Sequence, residues 1–326
     1  MSTSLQLRLN PRSISPYQKK LRGYMAGFRY YNVQLLPINV HERGDVGKKG
    51  YQTFFAGLKQ RVVKAVQDRR VEAIAYGLRS GLLFSAFTVE PADDYARGKF
   101  LKFDVAESVI DIYTSQTVFT ASPGASAHPT YFRFAFDYDR HILAIEDTQG
   151  RLPSTGQLIK ALSHLLEPVR SDLYPEYILT IDQLTASDAV QKVFKEAKGF
   201  RRVHVTVTFA NSDKFVQSLQ KELRDKNIHQ VEHIEKASKG SLMDSPTEFG
   251  KFLLQIAQRY GNASINYVVG QGKTLKRKIF RMKDHPVRQI LKEGKKETEP
   301  QFIDRVFQSI PGAEKKASAP VNDAHD

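Results

Sequence analysis

The sequence predicts an α+β fold of two mixed sheet-and-helix units, with a basic C-terminal unit and a disordered tail. Three observations carry that expectation. Runs with period two, such as Val203, Val205, Val207 and Phe209, are separated by runs whose apolar residues recur at three and four. A length of 326 residues suits two domains or one elaborated domain. A hydrophobic fraction of 41 % with 20 Phe residues is enough for an ordinary globular interior. We expect a basic N-terminal arm over 1–27, an α+β domain over 28–197, a basic α+β domain over 198–296 and a polar, disordered tail over 297–326.

In chain order, Ser15-Pro16 can open one short helix within the arm. The stretch Phe28 to Asn39 is aromatic and branched and reads as a buried strand. A loop with Gly44, Gly47 and Gly50 leads to a helix whose Phe55, Leu58, Val62 and Val66 share one face. Residues 81–90 read as a strand and 103–120 as irregular chain with short strands. Phe132, Phe134 and Phe136 alternate, Asp137 to Arg140 turns, and His141 to Glu146 returns, which is a hairpin. Ser154 and Gln157 have capping-box spacing before a helix through Leu165, and Pro168 and Pro175 bracket a linker. A strand at Tyr177 to Ile181 and a short helix from Ser187 complete the first unit. The second unit has a half-buried strand at 203–209, a helix at 212–224 and a strand near 228–235. A helix capped by Ser245-Pro246-Thr247-Glu248 follows, with closing strands at 263–270 and 274–282.

The chain has no Cys, which excludes disulfides, thiolate zinc sites, iron–sulfur clusters and a cysteine nucleophile. No signal-peptide core and no bilayer-length apolar run is visible, so a soluble, cytoplasmic protein is expected. The net charge of +14 is focused. The first 41 residues hold Arg8, Arg12, Lys19, Lys20, Arg22 and Arg29 with no acid. Residues 271–296 hold Lys273, Lys276, Arg277, Lys278, Arg281, Lys283, Arg288, Lys292, Lys295 and Lys296 against Asp284 and Glu293. These two segments account for the whole excess, as an electrostatic footprint on a polyanion would. The expected contacts are Lys273, Lys276, Arg277, Lys278, Arg281, Lys283 and Arg288, with Lys19, Lys20 and Arg22 of the arm as auxiliaries. Lysine and arginine supply phosphate affinity through counterion release. The alternative is a solvated edge strand whose lysines block aggregation. Tyr17, Tyr24, Tyr30 and Tyr31 could stack on bases, although core packing accounts better for the last two.

No catalytic motif is complete. Gly270-Gln271-Gly272-Lys273-Thr274 ends like a phosphate-binding loop, but Tyr267 stands where the first glycine is needed, so a turn between strands is the better reading. His229 to His233 has the spacing of inverted zinc peptidases, yet its surroundings read as a strand. Gly44, Gly47 and Gly50 flank Lys48 and Lys49 in what reads as an ordinary strand-to-helix connection. Asp137, Asp139, Glu146 and Asp147 crowd one hairpin without a nearby lysine, and Glu196-Ala197-Lys198 falls at a helix end. No metal or cofactor is expected.

The strand Tyr30 to Pro37, the Gly50-Tyr51 helix start and the hairpin from Phe132 to Glu146 resemble an uncharacterised bacterial family associated with prophages and mobile elements. The layout is loosely similar to the phage-exclusion protein RexA and the Kiwa defence protein KwaB. That resemblance implies a DNA-binding, homo-oligomeric, non-enzymatic protein of antiviral defence or abortive infection. The expectation is low-specificity binding of DNA or RNA. The alternatives are a metal-dependent nuclease in the same setting, or a scaffold for an acidic partner or membrane surface.

Overall fold

The longest strand, β1 (Met25–Pro37), organises the molecule because it is apolar on both faces. A strand buried twice must sit inside a sheet with cover on each side. The computed structural model describes residues 25–318 except 40, 106–107, 121, 123, 148–149, 209–222, 224–225 and 271. In chain order its elements are β1, α1 (Lys48–Gln67), β2 (Tyr76–Gly77), β3 (Leu83–Pro91), β4 (Tyr95–Phe103), β5 (Ser108–Ile110) and β6 (Thr117–Thr120). There follow β7 (Thr130–Asp137), β8 (Ile142–Glu146), α2 (Thr155–Leu173), β9 (Tyr177–Gln183), α3 (Ser187–Glu196), β10 (Gly199–Thr208) and β11 (Gln230–Lys236). The last are α4 (Glu248–Tyr260), β12 (Gly261–Val269), β13 (Lys276–Arg281), β14 (Arg288–Lys292) and α5 (Glu299–Lys316). The expected α+β class is what these elements form.

The first sheet runs β14-β1-β8-β7-β4-β3-β2, with β9 also pairing β1, all antiparallel. Tyr31, Val33 and Leu35 face α1 and α2, meeting Phe54, Phe55, Leu158 and Leu162. Ala26, Phe28 and Tyr30 face the other way, onto Phe302, Val306 and Ile310 of α5. The second sheet, β11-β10-β12-β13, is also antiparallel. Val203, Val205, Val207 and Ile265 line its inner face and pack with α3 and α4 through Val193, Leu253 and Leu254. Of the helices expected on this sheet α4 is in place, and α3, expected in the first unit, packs on the same face.

Four expectations change. The tail expected from residue 297 is α5 as far as Lys316, while 319–326 lie outside the described residues. Lysines and glutamates mask its apolar stripe in the composition, but Phe302, Ile303, Val306, Ile310 and Ala313 share a buried face. Thr298 and Gln301 form its capping box. Helix α2 continues past Pro168 to Leu173, because burial of Leu165, Leu166 and Val169 offsets the hydrogen bond that proline removes. Ser154 makes no side-chain cap there, and Gln157 instead accepts a hydrogen bond from the Arg79 backbone at 2.9 Å. Finally, β14 joins β1, so the chain leaves the second unit before the expected boundary at 296. The expected arm and the 212–224 helix fall outside the described residues, apart from Met25 to Gly27 in β1 and Leu223.

Candidate nucleic-acid interface

The turn that sets up the basic strand depends on two glycines. Gly270 and Gly272 have φ of +101° and +53°, and a Cβ on Gly270 would lie 2.7 Å from the Thr274 carbonyl. They join β12 to β13 through a short 3-10 turn at Gly272–Thr274, where Lys273 sits. The segment is thus a strand connection with no helix behind it, so its backbone lacks the geometry of a phosphate-binding loop.

Among the described residues strand β13 is an edge strand, bonded to β12 alone. Pairing of Phe280 with Ile265 places Lys276, Lys278 and Phe280 on the helix side, and Arg277, Ile279 and Arg281 on the opposite face. Only Phe280 is buried. Lys278 Nζ lies 3.2 Å from Glu196 at the end of α3 and holds that carboxyl below its usual range. Lys276, Arg277 and Arg281 are exposed and have no ion-pair partner among the described residues. Lys283 follows in a turn whose backbone is fixed to the first unit. Its carbonyl accepts from Thr155 Oγ1 at 3.2 Å and Gln183 Nε2 at 3.3 Å. Its side chain borders a cavity of about 310 Å³ at the start of α2, shared with Arg79 and Lys160.

The remaining candidates are elsewhere. Arg288 is on β14 in the first sheet, opposite Arg29 and 4.0 Å from Asp147. Arg29 itself is held by Asp147, with Nε donating at 2.7 Å, and is largely buried. Lys19, Lys20 and Arg22 lie outside the described residues. The structure therefore brings Lys276, Arg277, Lys278 and Arg281 together, with Lys283 at the end of the row, and separates Arg288 from them.

The candidate catalytic groups are occupied. Asp137 Oδ1 accepts the amides of Asp139 and Arg140, both at 2.9 Å, and Oδ2 meets the Arg140 guanidinium at 3.1 Å. Glu146 accepts from Arg133 Nε at 2.8 Å and Nη2 at 3.2 Å. His229 and His233 flank and lie on β11 rather than on a helix. His229 bonds the Ile38 carbonyl at 2.8 Å, and His233 bonds Glu235 at 2.8 Å. Among the described residues no group of three or more His, Asp or Glu side chains is placed to hold a metal. Gly44 and Gly47 lie in the connection from β1 to α1, while Lys48, Lys49 and Gly50 form the first turn of the helix.

Residues 29–309, from β1 into α5, match the model of a family described as a domain of unknown function, DUF4747. The chain belongs to that family. The DUF4747 match takes in both sheets and the β13 segment, and begins beyond Lys19, Lys20 and Arg22. Among curated proteins none matches the chain. No helix of the described residues is long and apolar enough to cross a membrane.

The sequence reading missed the neighbours of β13 within this DUF4747 unit. Arg202 and His204 of β10, Lys236 of β11 and Asn266 of β12 project from the same face as Arg277 and Arg281. The polar half of the alternation around Val203 and Val205 was the available signal.

Proposed function

We propose that this DUF4747 protein binds nucleic acid, DNA in the first place, by phosphate contacts of low sequence specificity, and that it acts in phage defence or prophage biology. One observation carries the reading. The exposed cations Lys276, Arg277 and Arg281 sit on a structured edge strand, and no carboxylate among the described residues neutralises them. Such charges are pre-positioned and release counterions on meeting phosphates. The setting rests on resemblance alone. Metal-dependent cleavage has less support, because Asp137 and Glu146 already accept hydrogen bonds from the protein itself.

The test is a salt titration of DNA binding with the full chain. Affinity should fall steeply with salt, and replacing Lys276, Arg277 and Lys278 with Glu should flatten the log–log slope by about one unit for each phosphate the variant no longer meets. Melting temperature is followed in parallel, since edge lysines also protect sheets. A salt-independent affinity, or a folded triple variant that binds as before, would overturn the proposal. Anionic vesicles that displace DNA completely would favour a membrane-surface scaffold instead.

A further inference from the structure

We propose that the face of the second sheet opposite α3 and α4 is a platform for single-stranded nucleic acid; this rests on the nucleic-acid reading above and adds strandedness to it. The strand register assembles the face in rows. One row runs Lys236, Arg202, Asn266, Ile279, and the next Ile234, His204, Ser264, Arg281. Cations thus stand at both margins, with amide, hydroxyl and imidazole groups between them. The helices α3 and α4 pack on the opposite face, and among the described residues the residues of these rows join no hydrophobic cluster.

Shape disfavours a duplex here. Four strands about 4.8 Å apart make a surface about 14 Å wide before side chains are added. The major groove, about 12 Å wide, admits a helix or a two-stranded ribbon and cannot take this face. Open sheet faces suit single strands, whose bases can be splayed across the strands and met at their edges. Chemistry agrees. Ile279 and Ile234 are 57 % and 42 % exposed, large apolar groups that a base or sugar can cover. The Arg202 Nε donor is buried and meets no acceptor among the described residues. A guanidinium there can stack on a base or bond its edge. Glu232, hydrogen-bonded by His204, is the one carboxylate on this face among the described residues of the four strands, so its balance is positive. These rows hold no Phe, Tyr or Trp, and the one aromatic ring is the His204 imidazole, so affinity must come mainly from phosphates, with hydrogen bonds adding the preference for open bases.

The experiment compares a mixed-sequence single strand of about 20 nucleotides with its duplex on the full-length protein; that length exceeds the roughly 4–16 nucleotides that one OB fold, a comparably small β-structure, covers. The single strand is expected to bind about tenfold more tightly, and R202A/N266A to remove about that factor for the single strand while leaving the duplex unchanged. The central strands are positions a duplex resting on the β13 edge does not reach. Equal or tighter duplex binding, or single-strand affinity untouched in a folded R202A/N266A variant, overturns the platform but leaves nucleic-acid binding standing. Failure of both ligands to bind at low salt removes the underlying reading as well. Competition by polyglutamate as effective as that by the single strand would mark the face as a protein-docking surface. Should the variant misfold, photo-crosslinking of a bromouracil-substituted strand to the unaltered protein decides. Adducts on β10 and β12 support the platform, and adducts confined to other elements reject it.

Discussion

Asp182 on β9 shows how a single carboxyl can work against the fold. It lies half-buried where the two units meet, and its Oδ2 accepts a hydrogen bond from Thr208 at 2.9 Å. Burial dominates over that bond and lifts its pKa to about 6. A carboxyl whose folded pKa is raised costs nothing below its unfolded value near 4. The cost grows as pH rises through the folded value and is complete above it. Asp182→Asn keeps an acceptor for Thr208 and should raise stability at pH 7 by up to about 3 kcal/mol, with no gain near pH 3. Denaturant melts at both pH values check this, and an equal effect at both would refute it. His141 titrates over an overlapping window with opposite consequence. Its ring packs 4.4 Å from Tyr51, and burial lowers its pKa to about 4. Stability from its neutral form is present above pH 6.5 and is lost as acid approaches the folded value.

Among the elements, α5 bears most on the fold and was least legible beforehand. Phe302 lies beneath Phe28, and the Arg133 guanidinium rests 4.4 Å from the Phe302 ring centre. Arg133 in turn bonds Glu146 and, at 2.9 Å, Glu293, so helix, hairpin and β14 meet at one buried charge cluster. Phe302→Ala should cost about 3–5 kcal/mol by the void it leaves. Glu146→Ala should cost less, about 1.5–3 kcal/mol, because it removes charged hydrogen bonds while the Arg133 guanidinium keeps Glu293. Urea unfolding of each variant measures both. The hairpin, α1 and α4 were readable because their apolar periods are undisturbed by charge. Strand β4 was not, since Gly98, Arg97, Lys99 and Lys102 make it look like loop. Its glycine has a tertiary cause: a Cβ on Gly98 would fall 1.9 Å from the Thr88 carbonyl beside a bulge in β3. Nothing local to β4 announces that approach.

On the scale of the molecule, charge counted along the chain overstates what faces solvent. Arg29 belongs to the N-terminal basic group by sequence, yet in the fold it neutralises Asp147. Arg29→Ala should therefore lower melting temperature while leaving the salt slope of nucleic-acid binding unchanged. Arg277→Ala and Arg281→Ala should each flatten that slope by about 0.7–0.9 with little effect on stability. Affinity measured at several salt concentrations, beside thermal melts, separates the two classes. The basic strand itself was legible because it is one contiguous run. The surface it borders was not, because Arg202, Lys236 and Asn266 lie on three strands separated by long stretches of chain. Only the register of the second sheet makes them neighbours.

The return of β14 and α5 to β1 has a consequence for the order of events during synthesis. Tyr30 closes its hydrogen bonds on Gln289 and Ser309, partners 259 and 279 residues later. A nascent chain can complete the second sheet, whose four strands are contiguous, while the first still lacks an edge strand and one whole cover. Closing so long a loop adds little to the equilibrium cost, which grows only with the logarithm of length, but it delays the event. Until the last helix emerges, Ala26, Phe28 and Tyr30 stay bare, and a prematurely ended chain carries that apolar patch permanently. Such fragments should be sticky, chaperone-bound and quickly degraded, so the cell receives the finished molecule or almost nothing.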